Sequence, residues 1–347
     1  MRNTLILLTV LMFGVGCASL NSDISSVANL SADRTIPISP ILYIEDDSLW
    51  MADAVGNDAV NISQSSDDHF APVWFPNEVE VAYGVVIDDY YELWNQDIQT
   101  GSSEFLVGTK ELPHDLQVSP NNQYLMYFEA DNLYMLDIEQ KTRTRLYEGA
   151  ISADWSPDGK QIVYLTSDNR LLLQDFKLDE DLSEPLLLLE QEVVSPIFID
   201  TDLIAYETDW DGEYTVLALD LRSFEAEPIT SLRFSSLQPS SKLRLEPNGS
   251  RLMYIRQDDV TELPNAWVFH MESDAPKLIL TNVYNAIWSA EENMIFYLDS
   301  TLINKDEIQT MIYSATDNGL SKTEIITGAH SVVTPGANDS NEYKLDS

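Results

Sequence analysis

The chain has 347 residues, 44% of them hydrophobic, enough to bury a large core and to exclude a disordered chain. Nineteen basic residues stand against 58 acidic ones, a net charge of −39. That balance opposes nucleic-acid binding, which needs cations to neutralise phosphates.

Met1-Arg2 opens the chain, and an apolar run from Leu5 to Phe13 follows, closing on Gly14-Val15-Gly16-Cys17. A positive start, a short apolar core and small residues make a secretory signal, too short for a spanning helix of about 20 residues. Residues 1–16 are therefore expected to be removed. Cys17 is the only cysteine, so no intramolecular disulfide can form. Val15, Gly16 and Cys17 resemble the lipobox of bacterial lipoproteins, although Gly14 stands where that family usually has leucine. The resemblance implies cleavage before Cys17 and acylation of its thiol and amine; a plain signal peptide with a free thiol is the alternative. Several acyl chains at ~0.8 kcal/mol per buried CH₂ would hold the protein on a membrane. Residues 17–38, rich in Ser, Asn, Ala and Asp, read as a tether.

From there the chain repeats. "ADWSPDGKQIVYLTSDNRLLLQDF", residues 153–176, reads as three strands joined by two turns, with Pro157, Asp158 and Gly159 supplying the first turn. Equivalent copies are anchored by an apolar residue before each turn: Trp74, Val118, Trp155, Phe198, Leu245 and Trp288. A tyrosine follows every anchor: Tyr83, Tyr127, Tyr164, Tyr206, Tyr254 and Tyr297. Aspartate often closes the third strand, at Asp97, Asp137, Asp175 and Asp220. A fourth apolar segment completes each copy: "EFLVG", "TRLYE", "PLLLLE", "EPITS", "PKLIL" and "EIITG".

Four short antiparallel strands every 40 to 45 residues are the signature of a β-propeller blade, and the recurring Trp and Tyr are expected to pack blade on blade. "YIEDDSLWMAD", Tyr43 to Asp53, matches "YFEADNLYMLD", Tyr127 to Asp137, but lacks an innermost strand. One repeat length beyond Trp288 lies "HSVVTPGAND". Residues 330–334 are thus expected to supply the strand missing from residues 41–63. The expected fold is all-β, a seven-bladed propeller over residues 39–334 closed by the C-terminal strand, with six or eight blades as alternatives; residues 335–347 form an acidic tail.

"WSPDGKQIVY" resembles the propeller repeat of the TolB type, found also in prolyl oligopeptidases. The match is full only at Trp155 and partial in "VSPNNQYLMY" and "EPNGSRLMY"; "FIDTDLIAY" has lost the Pro and Gly. Propellers of the TolB type have six blades, so the resemblance implies fold rather than a shared activity.

Chemistry is sparse. His69, His114, His270 and His330 share no ligand spacing and are expected at the surface or in turns. G-x-S-x-G, H-E-x-x-H and a phosphate loop are absent. Acidic groups such as Glu45-Asp46-Asp47, Asp67-Asp68, Asp88-Asp89, Asp179-Glu180-Asp181, Asp258-Asp259 and Glu291-Glu292 fall in expected turns. Three readings stay open for them: a solvated surface, a cationic partner, or loop-bound Ca²⁺. In "TDWDGEY", Asp209 and Asp211 before Gly212 are the metal candidates, against a plain β-turn. The functional expectation is a lipid-anchored extracytoplasmic propeller that binds or scaffolds envelope proteins or peptides. A hydrolase or lyase with carboxylates at the channel mouth, and a receptor for a cationic peptide or metal, are the alternatives.

Overall fold

The computed structural model describes residues 40–333 apart from 64, 177–183, 237–241, 260–262, 272–275, 284, 290–293, 305–306, 317–321 and 328. Cys17 and the signal, tether and tail segments lie outside the described residues. Among the described residues there are only strands and turns, with no helix long and apolar enough to cross a membrane.

Blade 1 opens the order with β1 (Ile41–Glu45), β2 (Ser48–Ala52) and β3 (Val60–Asn61), and blade 2 holds β4 (His69–Trp74), β5 (Glu80–Ile87), β6 (Tyr90–Asp97) and β7 (Ser103–Thr109). Blade 3 is β8 (Pro113–Val118), β9 (Tyr124–Glu129), β10 (Asn132–Asp137) and β11 (Thr142–Glu148). Blade 4 is β12 (Ala150–Trp155), β13 (Gln161–Thr166), β14 (Arg170–Asp175) and β15 (Leu186–Glu190). Blade 5 runs through β16 (Val193–Asp200), β17 (Leu203–Trp210), β18 (Glu213–Asp220) and β19 (Glu225–Pro228). Blade 6 has β20 (Lys242–Leu245), β21 (Arg251–Gln257), β22 (Pro264–His270) and β23 (Lys277–Thr281). Blade 7 has β24 (Asn285–Trp288), β25 (Met294–Asn304), β26 (Glu307–Thr316) and β27 (Lys322–Thr327), and β28 (Ala329–Val333) ends the series.

Every sheet is a four-stranded antiparallel meander, and the first is completed from the far end of the chain in the order β28-β1-β2-β3. Leu42 pairs with Val333, Tyr43 with Val332 and Ile44 with Ser331. The expected closing strand thus begins one residue earlier than the sequence suggested, at Ala329, and the ring has seven blades. Closure buries the two sheet faces that an open row of blades would expose, and β28 covers the inner edge of β1.

The core is divided among the blade interfaces, one hydrophobic cluster to each. Trp74 and Tyr83 pack against Leu42 and Met51 of blade 1. Trp155 and Tyr164 pack on blade 3, Phe198 and Tyr206 on blade 4, and Trp288 and Tyr297 on blade 6. The last cluster joins Ile287 and Phe296 of blade 7 to Tyr43 and Val332 of blade 1. Each anchor and its tyrosine therefore face the preceding blade, and the six repeat tyrosines are all buried. Period-2 alternation lets one strand feed both neighbouring interfaces: along β5, Val81 and Tyr83 meet blade 1 while Ala82 meets blade 3.

The turn residues act as their chemistry directs. Gly159, at φ +68°, closes the Ser156–Gly159 turn with its N–H on the Ser156 carbonyl at 2.8 Å. The third-strand aspartates cap the following turns: Asp97 Oδ1 accepts from the Thr100 amide at 2.8 Å, and Asp137 Oδ1 from the Gln140 amide at 2.7 Å. One outer strand is offset from expectation. The fourth strand of blade 5 is Glu225–Pro228, which overlaps "EPITS" only at Glu227-Pro228, although the Ile229 amide still donates to the Val216 carbonyl of β18 at 3.1 Å. The chain then folds back so that Phe234 bridges Tyr214.

Candidate functional site

The inner strands of the blades surround an axial channel, and a cavity of about 760 Å³ runs along it, lined from blades 2 to 7. In antiparallel blades the turns after the inner strands converge at one mouth. Pro76, Pro120, Pro157 and Pro247, each two residues beyond its anchor, ring that mouth. The opposite mouth collects the hairpins between second and third strands and the entries to the inner strands. Asp46-Asp47, Asp67-Asp68, Asp88-Asp89 and Asp258-Asp259 all fall there, so the topology gathers dispersed doublets at one end. The groups at 179–181 and 291–292 lie outside the described residues.

Three inner strands carry a break in register next to a residue in the left-handed region: Ala71 at φ +47°, Asp115 at +49° and Ser195 at +52°. Each lies three residues before its anchor. A bulge there re-aims the side chain, and aspartate is among the residues that tolerate this backbone conformation. Several polar groups along the channel join one blade to the next. Gln117 Nε2 donates to the Ala153 carbonyl at 2.9 Å, and the Phe198 amide donates to Asp154 Oδ2 at 2.7 Å. The Leu243 amide donates to Ser195 Oγ at 2.8 Å, and the Trp288 indole donates to the Arg244 carbonyl at 3.0 Å. These latches run from blade 3 to blade 7, and they assign Gln117, Asp154 and Ser195 to holding the ring.

A charge arrangement remains. Asp115 on β8, about half exposed to the channel, faces the same cavity as Lys242 and Arg244 on β20. Burial pushes the Asp115 carboxyl up, but the hydrogen bond and charge of His114 and the fields of Lys242 and Arg244 outweigh it and hold the group below the usual carboxylate range. His114 Nδ1 lies 2.9 Å from Asp115 Oδ2, and its ring stacks on Phe128 with centroids 5.5 Å apart. Glu192 and Glu78 add carboxylates to the lining. Two cations on one inner strand opposite a carboxylate can orient a ligand that itself carries charge.

No protein-family model matches the sequence, and no curated protein matches it. Solved structures do. In fold the chain is similar to TolB. The TolB structure from Acinetobacter baumannii is 13% identical, with a TM-score of 0.53 over 87% of this chain and 65% of that one. The chain thus spans less than two thirds of the TolB length. An oligogalacturonate lyase in complex with manganese is 11% identical, with a TM-score of 0.56 over 86% of this chain and 87% of that one. The oligogalacturonate lyase of Vibrio parahaemolyticus is 10% identical, with a TM-score of 0.57 over 83% and 84% of the two chains. At such identities the likeness is one of fold.

Of the residues singled out from the sequence, Asp209 lies near the end of β17 and Asp211 in the two-residue turn that joins it to β18. Asp211 at φ +58° and Gly212 at +86° form the turn, and the Gly212 amide donates to Asp209 Oδ1 at 3.3 Å. Among the described residues no group of three or more His, Cys, Asp or Glu side chains is gathered as a metal site would require. The histidine expectation needs correction at His69. It is buried on inner strand β4, with Nδ1 3.2 Å from the Asp47 carbonyl and its ring 5.5 Å from that of Tyr83. His114 is on inner strand β8, His270 is exposed at the end of β22, and the His330 side chain lies outside the description. Asp115, Lys242 and Arg244 were missed in the sequence. The signal was their offset, since the residue one before each anchor lines the channel, as does the residue three before it in blades 3 to 6, and only the ring shows that these offsets meet.

Proposed function

We propose that the protein is a lipid-anchored, extracytoplasmic propeller of the bacterial envelope that binds a small ligand bearing a carboxylate in its axial channel. The observation that carries this reading is the placement of Lys242 and Arg244 opposite Asp115 in a cavity of about 760 Å³. A ligand of that kind meets positive charge on one wall and an acceptor on the other, with the strands fixing both. The lipobox resemblance at Cys17 supports the anchor and the location, and binding of envelope proteins or peptides is the class of work proposed for the anchored ring. Calcium at Asp209 and Asp211 is a separate proposal, tested by whether millimolar Ca²⁺ raises the melting temperature of the wild type more than that of Asp211→Asn.

The channel test is calorimetric titration with Gly-Gly-Gly and with its C-terminal amide. The free carboxylate should bind at least tenfold more tightly than the amide, and Lys242→Met should abolish that preference. Equal affinities, or a preference untouched by Lys242→Met, overturn the reading. Separately, Cys17→Ser should move the protein from the membrane to the soluble fraction; retention on membranes removes the lipid anchor. A second reading, a hydrolase or lyase acting on glycans or peptides, draws on the 2.9 Å contact of His114 with Asp115. It predicts turnover that is lost in Asp115→Asn while binding persists.

A further inference from the structure

Seven outer strands close the blades, and each turns an edge toward solvent. Unpaired edges invite another chain, and proteins blunt them with charge, proline, glycine or short length. Six of these edges are treated in that way. β3 has two residues, β7 holds Glu104 and Gly108, and β11 holds Arg143 and Arg145. β19 reads Glu-Ala-Glu-Pro, β23 begins with Lys277, and β27 carries Lys322 and Glu324. β15 is the most apolar, four leucines followed by a single charge, Glu190; β7 and β23 each expose one large apolar side chain, Phe105 and Leu278, where β15 exposes two in succession. Leu188 and Leu189 pack into the interface with blade 5, but Leu186 and Leu187 are 49% and 47% exposed.

Beside this strand a groove of about 280 Å³ lies between Leu186 and the turn after β18, where Phe224 is 57% exposed. Asp175, Glu184 and Asp202 line it, and among the described residues no lysine or arginine does. Arg222, close by, sits with Asp202 at 3.8 Å and Asp220 at 3.4 Å.

We propose that β15 is a docking edge for an extended segment of a partner protein, which pairs as a fifth strand on blade 4. Leu186 and Leu187 point to opposite faces of the blade, so the segment sets apolar side chains beside Leu187 on one face and lysine or arginine on the other, toward the carboxylates that line the groove with Leu186. Charge selects this occupant over a second copy of the chain, because two bodies of net charge −39 repel. Main-chain bonds supply affinity in such strand addition and side-chain pockets supply selectivity. The site is separate from the axial channel, so neither proposal depends on the other.

The probe is a fluorescein-labelled, acetylated and amidated (Lys-Val)₄ peptide, titrated by anisotropy against the full-length protein in detergent micelles. Saturable binding is expected, weakened at least tenfold by N-methylation of alternate peptide bonds, by glutamate in place of lysine, and by Leu187→Lys. Leu187 is exposed, so that variant should keep the wild-type melting temperature. Absence of binding, full affinity of the N-methylated peptide, or full affinity of Leu187→Lys overturns the proposal, as does a dimer in sedimentation equilibrium built on this edge.

Discussion

Val332→Ala probes the closure of the ring directly. Val332 is 1% exposed, pairs with Tyr43 across the β28–β1 ladder, and packs with Ile287 and Phe296 of blade 7. Truncation removes two methyl groups, about 0.8 kcal/mol each in transfer. The space left, roughly 50 Å³, adds about 1 kcal/mol at ~24 cal/mol per Å³. The expected loss is therefore about 2–3 kcal/mol, a large share of a typical stability of about 5–15 kcal/mol. Val60 provides the control, since it lies in the same blade on the outer strand and is 38% exposed. Val60→Ala should change stability by no more than about 0.5 kcal/mol. Urea unfolding followed by tryptophan fluorescence measures both. A chain ended at residue 328 loses the whole strand and exposes the β1 edge, so it should fail to give a cooperative transition. If Val332→Ala matches Val60→Ala, or the shortened chain melts as the full one does, the ring is not closed by its C-terminal strand.

Three further outcomes follow from buried charge and buried titrating groups. Arg256 and Glu207, both fully buried, pair at 3.1 Å, and the guanidinium lies 3.8 Å from the Phe234 ring centroid. Arg256→Met strands the carboxylate and should cost about 3–5 kcal/mol, whereas Arg256→Met with Glu207→Leu should recover most of that loss in the same urea assay. Equal losses in the single and double variants would refute a charge effect. Burial pushes the phenols of Tyr43 and Tyr206 up to about 12, with Glu45 adding to the shift at Tyr43. A folded pKa above the unfolded value near 10 means that this stability is complete below pH 10 and is lost as pH rises toward 12. Burial also lowers the His69 pKa, against opposing contributions from the Asp47 and Asp67 backbone and the charges of Asp67 and Asp68. Its contribution is present above the ordinary histidine value and is lost as pH falls below it. Absorbance at 295 nm and imidazole NMR read the two ends. A His69 midpoint at or above 6.5, or a urea midpoint flat between pH 9 and 12, contradicts this account.

The sequence determined the blade. Its strands, turns and anchors follow from local rules, because a Pro-Asp-Gly turn, a β-branched run and a capping aspartate act within a few residues of one another. The repeat also made the ring count legible, since the copy at Tyr43 lacked an inner strand and the segment at Val332 had no other sheet to join. Blade 5 shows where local reading ends: its outer strand begins two residues before the apolar segment, and the chain beyond it pairs Phe234 with Tyr214. The site belonged to the tertiary structure. Asp115 and Lys242 are more than a hundred residues apart, and nothing local to either marks it as facing the other. Only closing the sheets about an axis puts equivalent offsets from different blades on one wall, and only there do their charges interact.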